Sequence, residues 1–102
     1  MEGYRVLISA KAKQQIGRHV RFLSNVSVNA ARELKERFVK DIQALAFMPG
    51  RYPYFTEAYI PAYKYHKMGI DERFLVLYQI KGETVYVEYV IDCREDYDWL
   101  LG

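Results

Sequence analysis

The chain has 102 residues, of which 51% are hydrophobic and 27% are charged. These values are typical of a folded domain with a core of its own, and they exclude a disordered chain. The formal net charge of +2 excludes a protein that is basic throughout, so any affinity for nucleic acid would have to come from a local patch. We predict a single domain over residues 1–102.

The cysteine content and the start of the sequence indicate the compartment. Cys93 is the only cysteine, so no intramolecular disulfide can form, which is typical of a reducing cytosol. The residues from Met1 to Gly3 lack the basic region that opens a signal peptide, and no window of 18 apolar residues is present. We therefore expect a cytoplasmic protein that does not span a membrane.

The first half of the chain predicts one strand and two helices. Residues 4–8 form a short apolar run that favours a strand. Residues 10–24 and 27–47 then carry apolar side chains every three or four positions, with Ser9 and Ser27 as candidate N-caps. The second helix must end before the Pro49-Gly50 pair. Two helices with a short link form a hairpin, and the apolar face of each needs a sheet to cover.

The second half predicts three strands after an irregular crossover at residues 51–61. The strands are residues 63–68, 73–80 and 84–92, and both links between them are short and contain glycine, as hairpins require. The element order is β-α-α-β-β-β. It predicts an α+β fold in which the helical hairpin packs on a small, mainly antiparallel sheet.

The predicted strand at residues 73–80 is apolar on both faces. The helical hairpin can cover one face only, so another layer must shield Leu75 and Leu77 on the other face. Two covers are open at this point. One is a partner chain, and the other is the C-terminal segment, whose candidate packing residues are Tyr97, Trp99 and Leu100.

Cationic side chains near the predicted strand ends are the candidate functional residues, namely Lys64, His66, Lys67, Arg73 and Arg94. Phosphate chemistry uses cations to bind the backbone and stabilise charge, and His66 could serve as a general acid or base. The alternatives are solvated surface charges and an ordinary strand histidine. We expect His19 to be a solvated residue of the first helix. The ten tyrosines favour either a half-buried sheet or a surface on which bases stack.

The sequence predicts neither a metal site nor a cofactor. Its two histidines and one cysteine form no HxxxH or CxxC pair, so metal-ligand spacing is missing. Glycine-rich phosphate loops and the nucleophile elbow of serine hydrolases are missing too.

The order of three motifs resembles the RelE/ParE family of type II toxin–antitoxin toxins. The motifs run from Leu45 to Pro49 at the helix exit, from Arg73 to Tyr78, and from Asp92 to Tyr97. The resemblance covers nearly the whole chain. It implies the RelE-like fold and a small cognate antitoxin that neutralises the toxin.

The RelE-like branch cleaves messenger RNA on the ribosome without a metal. On this resemblance, Arg73 and Arg94 match the functional arginines. Tyr97 lies near the family's C-terminal tyrosine, although its spacing from Arg94 is one residue short. The resemblance implies that Lys64 and Lys67 bind substrate, and that His66 replaces the glutamate base found in one branch.

Two other functions remain open at this stage. ParE-like members of the family poison DNA gyrase without catalysis, which requires a contact surface but no acid or base. A binding module without toxicity is the third possibility. The combination of His66 with two arginines favours the endoribonuclease.

Overall fold

The computed structural model describes residues 3–57 and 60–94. The element order is the one predicted, and it confirms the α+β fold. Two short 3₁₀ turns, Ala44–Ala46 and Pro49–Arg51, follow the second helix. The strands and helices are β1 (Arg5–Ile8), α1 (Ala10–Ser24), α2 (Val28–Gln43), β2 (His66–Ile70), β3 (Phe74–Lys81) and β4 (Thr84–Asp92).

Both helices begin at the predicted serine caps. The Oγ of Ser9 accepts a hydrogen bond from the amide of Ala12 at 2.9 Å, and the Oγ of Ser27 accepts one from Ala30 at 3.1 Å. Each bond satisfies an amide that the first turn of a helix leaves unpaired. The second helix ends earlier than predicted, because the chain tightens into the 3₁₀ turn Ala44–Ala46.

The sheet has the strand order β1-β4-β3-β2, in which β1 pairs parallel to β4 and the other pairs are antiparallel. β2 begins at His66, later than predicted, because Tyr63 adopts a left-handed conformation with φ of 66° within the preceding turn. The turn to β3 also differs from the prediction. The prediction placed this link at residues 69–71, but Gly69 and Ile70 belong to β2, and the turn is centred on Asp71 and Glu72, both with positive φ.

A bulge in β4 changes which side chains face the helices. Tyr78 pairs with Val87 while Leu77 pairs with Tyr89, so Glu88 is an extra residue in the ladder. Its carboxylate accepts hydrogen bonds from the Tyr65 hydroxyl and the Gln79 amide. Because of the bulge, valines at positions 85, 87 and 90 all enter the core between the sheet and the helices.

The second face of the sheet is covered by the segment between α2 and β2. Phe55, Ile60 and Tyr65 of this segment pack against Leu77, which has no exposed surface, and against Ile91. The sequence analysis considered a partner chain and the C-terminal segment as covers, and did not consider this segment. Tyr97, Trp99 and Leu100 lie outside the described residues. No described helix is long and apolar enough to cross a membrane.

The core between α2 and the sheet can be tested with neighbouring substitutions. Phe38 is fully buried, whereas Val39 is 47% exposed. We expect Phe38→Ala to lower the free energy of unfolding by about 3–5 kcal/mol, because the lost contacts leave a cavity. Val39→Ala should change it by no more than about 0.5 kcal/mol. Urea denaturation measures both, and equal effects would contradict this packing.

Candidate functional site

Side chains of α1 satisfy the backbone edge of β4 beyond the end of β1. β1 stops at Ile8, opposite Val87, whereas β4 continues to Asp92. Along this free edge, the amide of Val90 donates to Oε1 of Gln15 at 2.7 Å, and the carbonyl of Val90 lies 2.9 Å from Nε2 of His19. The hydroxyl of Ser9 donates to the carbonyl of Glu88 at 2.9 Å. These bonds hold α1 along the strand edge.

His19 is therefore a buried residue and not the solvated one that we expected. It is only 5% exposed, and its ring packs 4.8 Å from that of Phe74 and 6.4 Å from that of Phe38. Since a carbonyl oxygen can only accept a hydrogen bond, Nε2 of His19 carries a proton and donates a hydrogen bond to the carbonyl of Val90. The sequence did contain a signal, because Gln15 and His19 follow Ala12 at helical spacing on the buried stripe of α1.

At the end of β4, Asp92 brings together the two predicted arginines. Nε of Arg73 donates to Asp92 at 3.1 Å. Arg94 donates three hydrogen bonds to the same carboxylate. Its backbone amide and Nε reach Oδ1 of Asp92 at 2.9 and 3.3 Å, and its Nη2 reaches Oδ2 at 3.2 Å. Arg73 stands just before β3 and Arg94 just after β4, and the pairing of Phe74 with Asp92 brings these positions side by side. The structure thus places Arg73 and Arg94 at one site.

The arginines change the acidity of the carboxyl group that holds them. Burial alone would raise the pKa of Asp92, but the hydrogen bonds from Arg94 and Arg73 outweigh burial and lower this pKa to about 2. Asp92 is therefore a carboxylate at neutral pH, and its charge offsets one of the two guanidinium charges.

This cluster, Arg73 with Asp92 and Arg94, opens into a depression of about 550 Å³. The other lining residues come from α1 and are Arg18, His19 and Phe22. Phe22 is 62% exposed, so an aromatic ring stands in solvent beside the arginines. In the part of the chain that the structure describes, no three His, Cys, Asp or Glu side chains are grouped so as to hold a metal ion.

His66 does not join the arginines. It pairs with Tyr78, five positions along β3 from Arg73, which corresponds to about 17 Å. The ring of His66 stacks between the rings of Tyr54 and Tyr78, at 4.2 and 5.3 Å, and its Nδ1 lies 2.8 Å from the carbonyl oxygen of Tyr52. These contacts are those of a structural histidine at the far end of the strand.

The other predicted site residues do not bind Asp92. Lys64 precedes β2, and its Nζ lies 5.2 Å from the centre of the Tyr65 ring. Lys67 pairs with Leu77 on the face of the sheet opposite His66, yet it lies near Cys93, where its charge opposes the rise that burial causes in the pKa of the thiol. Tyr97 lies outside the described residues. Of the predicted set, Arg73 and Arg94 share one carboxylate, and Lys67 lies near the residue between Asp92 and Arg94.

Comparison with known proteins places this chain in a family. Residues 6–97 match the family model described as the ParE toxin of the type II toxin–antitoxin system parDE. The chain belongs to this ParE toxin family. The predicted RelE/ParE relationship is thereby confirmed, and membership in a toxin–antitoxin family implies a cognate antitoxin as partner.

The fold of this ParE-family chain is also found in a solved structure. That structure is described as the chromosomal ParDE TA system from P. aeruginosa, and it superposes with a TM-score of 0.71. The match covers 87% of this chain and 95% of the other, at 10% sequence identity, and so shows a shared fold. No curated protein sequence matches the chain.

The lowered pKa of Asp92 makes a testable contribution to stability. Because the folded pKa lies below that of an unfolded aspartate, the stabilisation is complete above about pH 4 and is lost as the pH falls towards 2. We expect Asp92→Asn to reduce the free energy of unfolding by about 2 kcal/mol at pH 7 and by much less at pH 2.5.

A matched control for this prediction is Asp71→Asn. Asp71 forms an ion pair with Arg37 on the surface, and asparagine tolerates its left-handed backbone. An exposed pair of this kind contributes little, so the effect should stay below about 1 kcal/mol at both pH values. Urea denaturation at the two pH values measures the differences. An Asp92→Asn effect that does not depend on pH would contradict the assignment.

Proposed function

We propose that this chain is a ParE-type toxin that inhibits DNA gyrase by binding, without catalysis, and that a cognate antitoxin neutralises it. The proposal is supported first by the family match, which favours the ParE branch over the RelE branch. A contact toxin requires a surface of suitable shape and charge, whereas a nuclease also requires an acid and a base beside the scissile bond.

The observation that carries the proposal is the separation of His66 from the two arginines. General acid–base catalysis requires the proton-transfer group within hydrogen-bond reach of the reacting atoms. His66 lies about 17 Å from Arg73 along β3, and its ring is packed between two tyrosines. The residue that would supply the acid or base of a RelE-like reaction is thus far from the groups that would bind the phosphate.

Messenger RNA cleavage is the second candidate, and one observation favours it. His19 lines the same depression as Arg73 and Arg94, so an imidazole does lie near the guanidinium groups. Nε2 of His19 is engaged with the carbonyl of Val90, however, and its ring is buried against Phe74. A histidine held in this way stabilises the fold, and this is why we place cleavage second.

Two assays with the purified chain discriminate between the candidates. In the first, gyrase supercoils relaxed plasmid DNA in the presence of the chain. In the second, the chain is added to translating ribosomes and the messenger RNA is mapped for cuts. We expect inhibition of supercoiling and intact messenger RNA, with supercoiling restored on addition of the antitoxin. Codon-dependent cleavage with unaffected supercoiling would overturn the proposal.

A variant of His66 provides a sharper comparison. In His66→Asn, the asparagine amide can still donate to the carbonyl of Tyr52, as Nδ1 of the histidine does. We expect this variant to inhibit gyrase as the wild type does. Its melting temperature should be lower, because the ring that stacks between Tyr54 and Tyr78 is lost, so circular dichroism at the assay temperature is the control for folding. If His66 were the acid or base of a nuclease, its loss would reduce activity about 10²–10⁴-fold. A folded but inactive variant would therefore contradict the gyrase proposal.

A further inference from the structure

The second face of the sheet is uncovered at one corner, where β1 pairs with β4. The crossover segment covers Leu77 and Ile91, but Leu7 on β1 is 41% exposed and its pairing partner Tyr86 on β4 is 37% exposed. Both side chains line a depression of about 470 Å³. We call this part of the face the β1 corner. Exposed apolar side chains grouped on a sheet face favour contact with another chain.

The outer edge of β1 lies beside this corner and carries unpaired backbone groups. The amides of Arg5 and Ser9 donate to carbonyls of β4, so alternate residues of β1 bond to that strand. The amides and carbonyls of Val6 and Ile8 therefore point away from the sheet. In the described part of the chain, neither of these two amides donates to another backbone group.

The open edge has the length of a short strand. Before it, the amide of Tyr4 donates to the carbonyl of Ala46 at 2.8 Å, and after it Ser9 caps α1. The four residues Arg5–Ile8 lie between these limits. An extended segment that pairs with this edge would satisfy the outward backbone groups, and its alternate side chains would lie over the β1 corner.

Two exposed cations flank the apolar side chains of the corner. Arg5 and Lys81 both pair with Thr84, so they lie on the same face of the sheet as Leu7. Nζ of Lys81 lies 5.7 Å from the centre of the Tyr86 ring. Within residues 3–57 and 60–94, neither cation forms an ion pair. The corner is therefore complementary to a segment with apolar anchors and acidic flanks.

The carboxylate that lines the depression does not cancel this preference. It belongs to Glu88, which accepts hydrogen bonds from the hydroxyl of Tyr65 and the amide of Gln79. Its acceptor capacity is thus used within the protein, whereas the cations of the corner are exposed.

The size of the edge disfavours a second copy of this chain as the occupant. Two copies that pair through Arg5–Ile8 would contribute four residues each, whereas a standard interface uses about 20–30 residues a side. A segment of a different partner is not limited in this way. It can continue past the end of β1 and over the depression, and so bury more surface.

We propose that an extended segment of the cognate antitoxin adds to the open edge of β1 as a fifth strand. Its apolar side chains lie over Leu7 and Tyr86, and its acidic residues face Arg5 and Lys81. The inference rests on the antitoxin part of the proposed function. It does not depend on gyrase as the target.

Hydrogen exchange on the wild-type chain tests the pairing without any substitution. Exchange is followed by NMR for the free chain, for its complex with the purified antitoxin, and with short peptides that tile the antitoxin sequence. We expect the amides of Val6 and Ile8 to exchange at least about 10-fold more slowly in the complex and with one of the peptides. Unchanged exchange at both amides would overturn the proposal.

Two substitutions of similar exposure test the corner itself. Leu7→Ser removes the apolar side chain on β1, and Val39→Ser is the matched control, since Val39 is 47% exposed on α2. We expect Leu7→Ser to weaken antitoxin binding at least about 10-fold and Val39→Ser to leave it unchanged. Arg5→Gln with Lys81→Gln should weaken binding and reduce its dependence on salt. Circular dichroism confirms folding. Equal weakening by the two serine variants would overturn the proposal.

Two further measurements separate the other occupant and the other proposal. Light scattering should show that the free chain is a monomer, and a dimer that Leu7→Ser dissociates would assign the corner to a second copy and overturn the inference. Leu7→Ser should still inhibit supercoiling by gyrase. A chain that binds its antitoxin through β1 but leaves supercoiling unaffected would contradict the gyrase proposal alone.

Discussion

The free edge of β4 is the constraint on which the rest of this structure depends. β4 extends five residues beyond its parallel neighbour, and a buried strand edge with unpaired amides and carbonyls would be costly. α1 resolves this with side chains rather than with backbone, through Gln15 and His19 on Val90. A helix fixed in this way cannot rotate about its axis. The flank that carries its arginines is therefore set against the end of β4, where Arg73 and Arg94 lie.

Asp92 plays a similar part for the segments that flank β3 and β4. It ends β4, pairs with Phe74, and accepts hydrogen bonds from residues on either side of the hairpin. A buried carboxylate with these donors stays ionised and orders two arginine side chains that would otherwise be mobile. One acid thus organises a site whose outer surface is cationic. The α1 edge contacts and the Asp92 cluster together give a rigid basic face, and the buried carboxylate lies beneath it.

The sequence predicted what depends on local pattern. Serine caps and apolar spacing located both helices, and the hairpin signals made β2, β3 and β4 neighbours. The parallel pairing of β1 with β4 was not predicted. What it missed depends on tertiary contacts. The roles of Gln15 and His19 depend on the edge of β4, which lies 71 to 75 positions away in the sequence. The bulge at Glu88 is visible in the sequence, because the spacing of the buried valines changes from two residues to three. A strict alternation of inward and outward residues does not predict that change. His66 was grouped with Arg73 by proximity in sequence, and the antiparallel register separates them.

The difference between a nuclease and a contact toxin in this fold concerns what faces the arginines. Cations at the end of β4 would suit either kind of toxin, because arginine binds phosphate and carboxylate groups alike. The nuclease must also keep one group free to exchange a proton. In this chain the imidazole nearest the arginines is that of His19, and its Nε2 is required to satisfy the carbonyl of Val90. This hydrogen bond leaves Nδ1 as the ring nitrogen that would have to exchange a proton. The ring is only 5% exposed and packs on Phe74, so burial rather than the hydrogen bond of Nε2 is what favours the structural role.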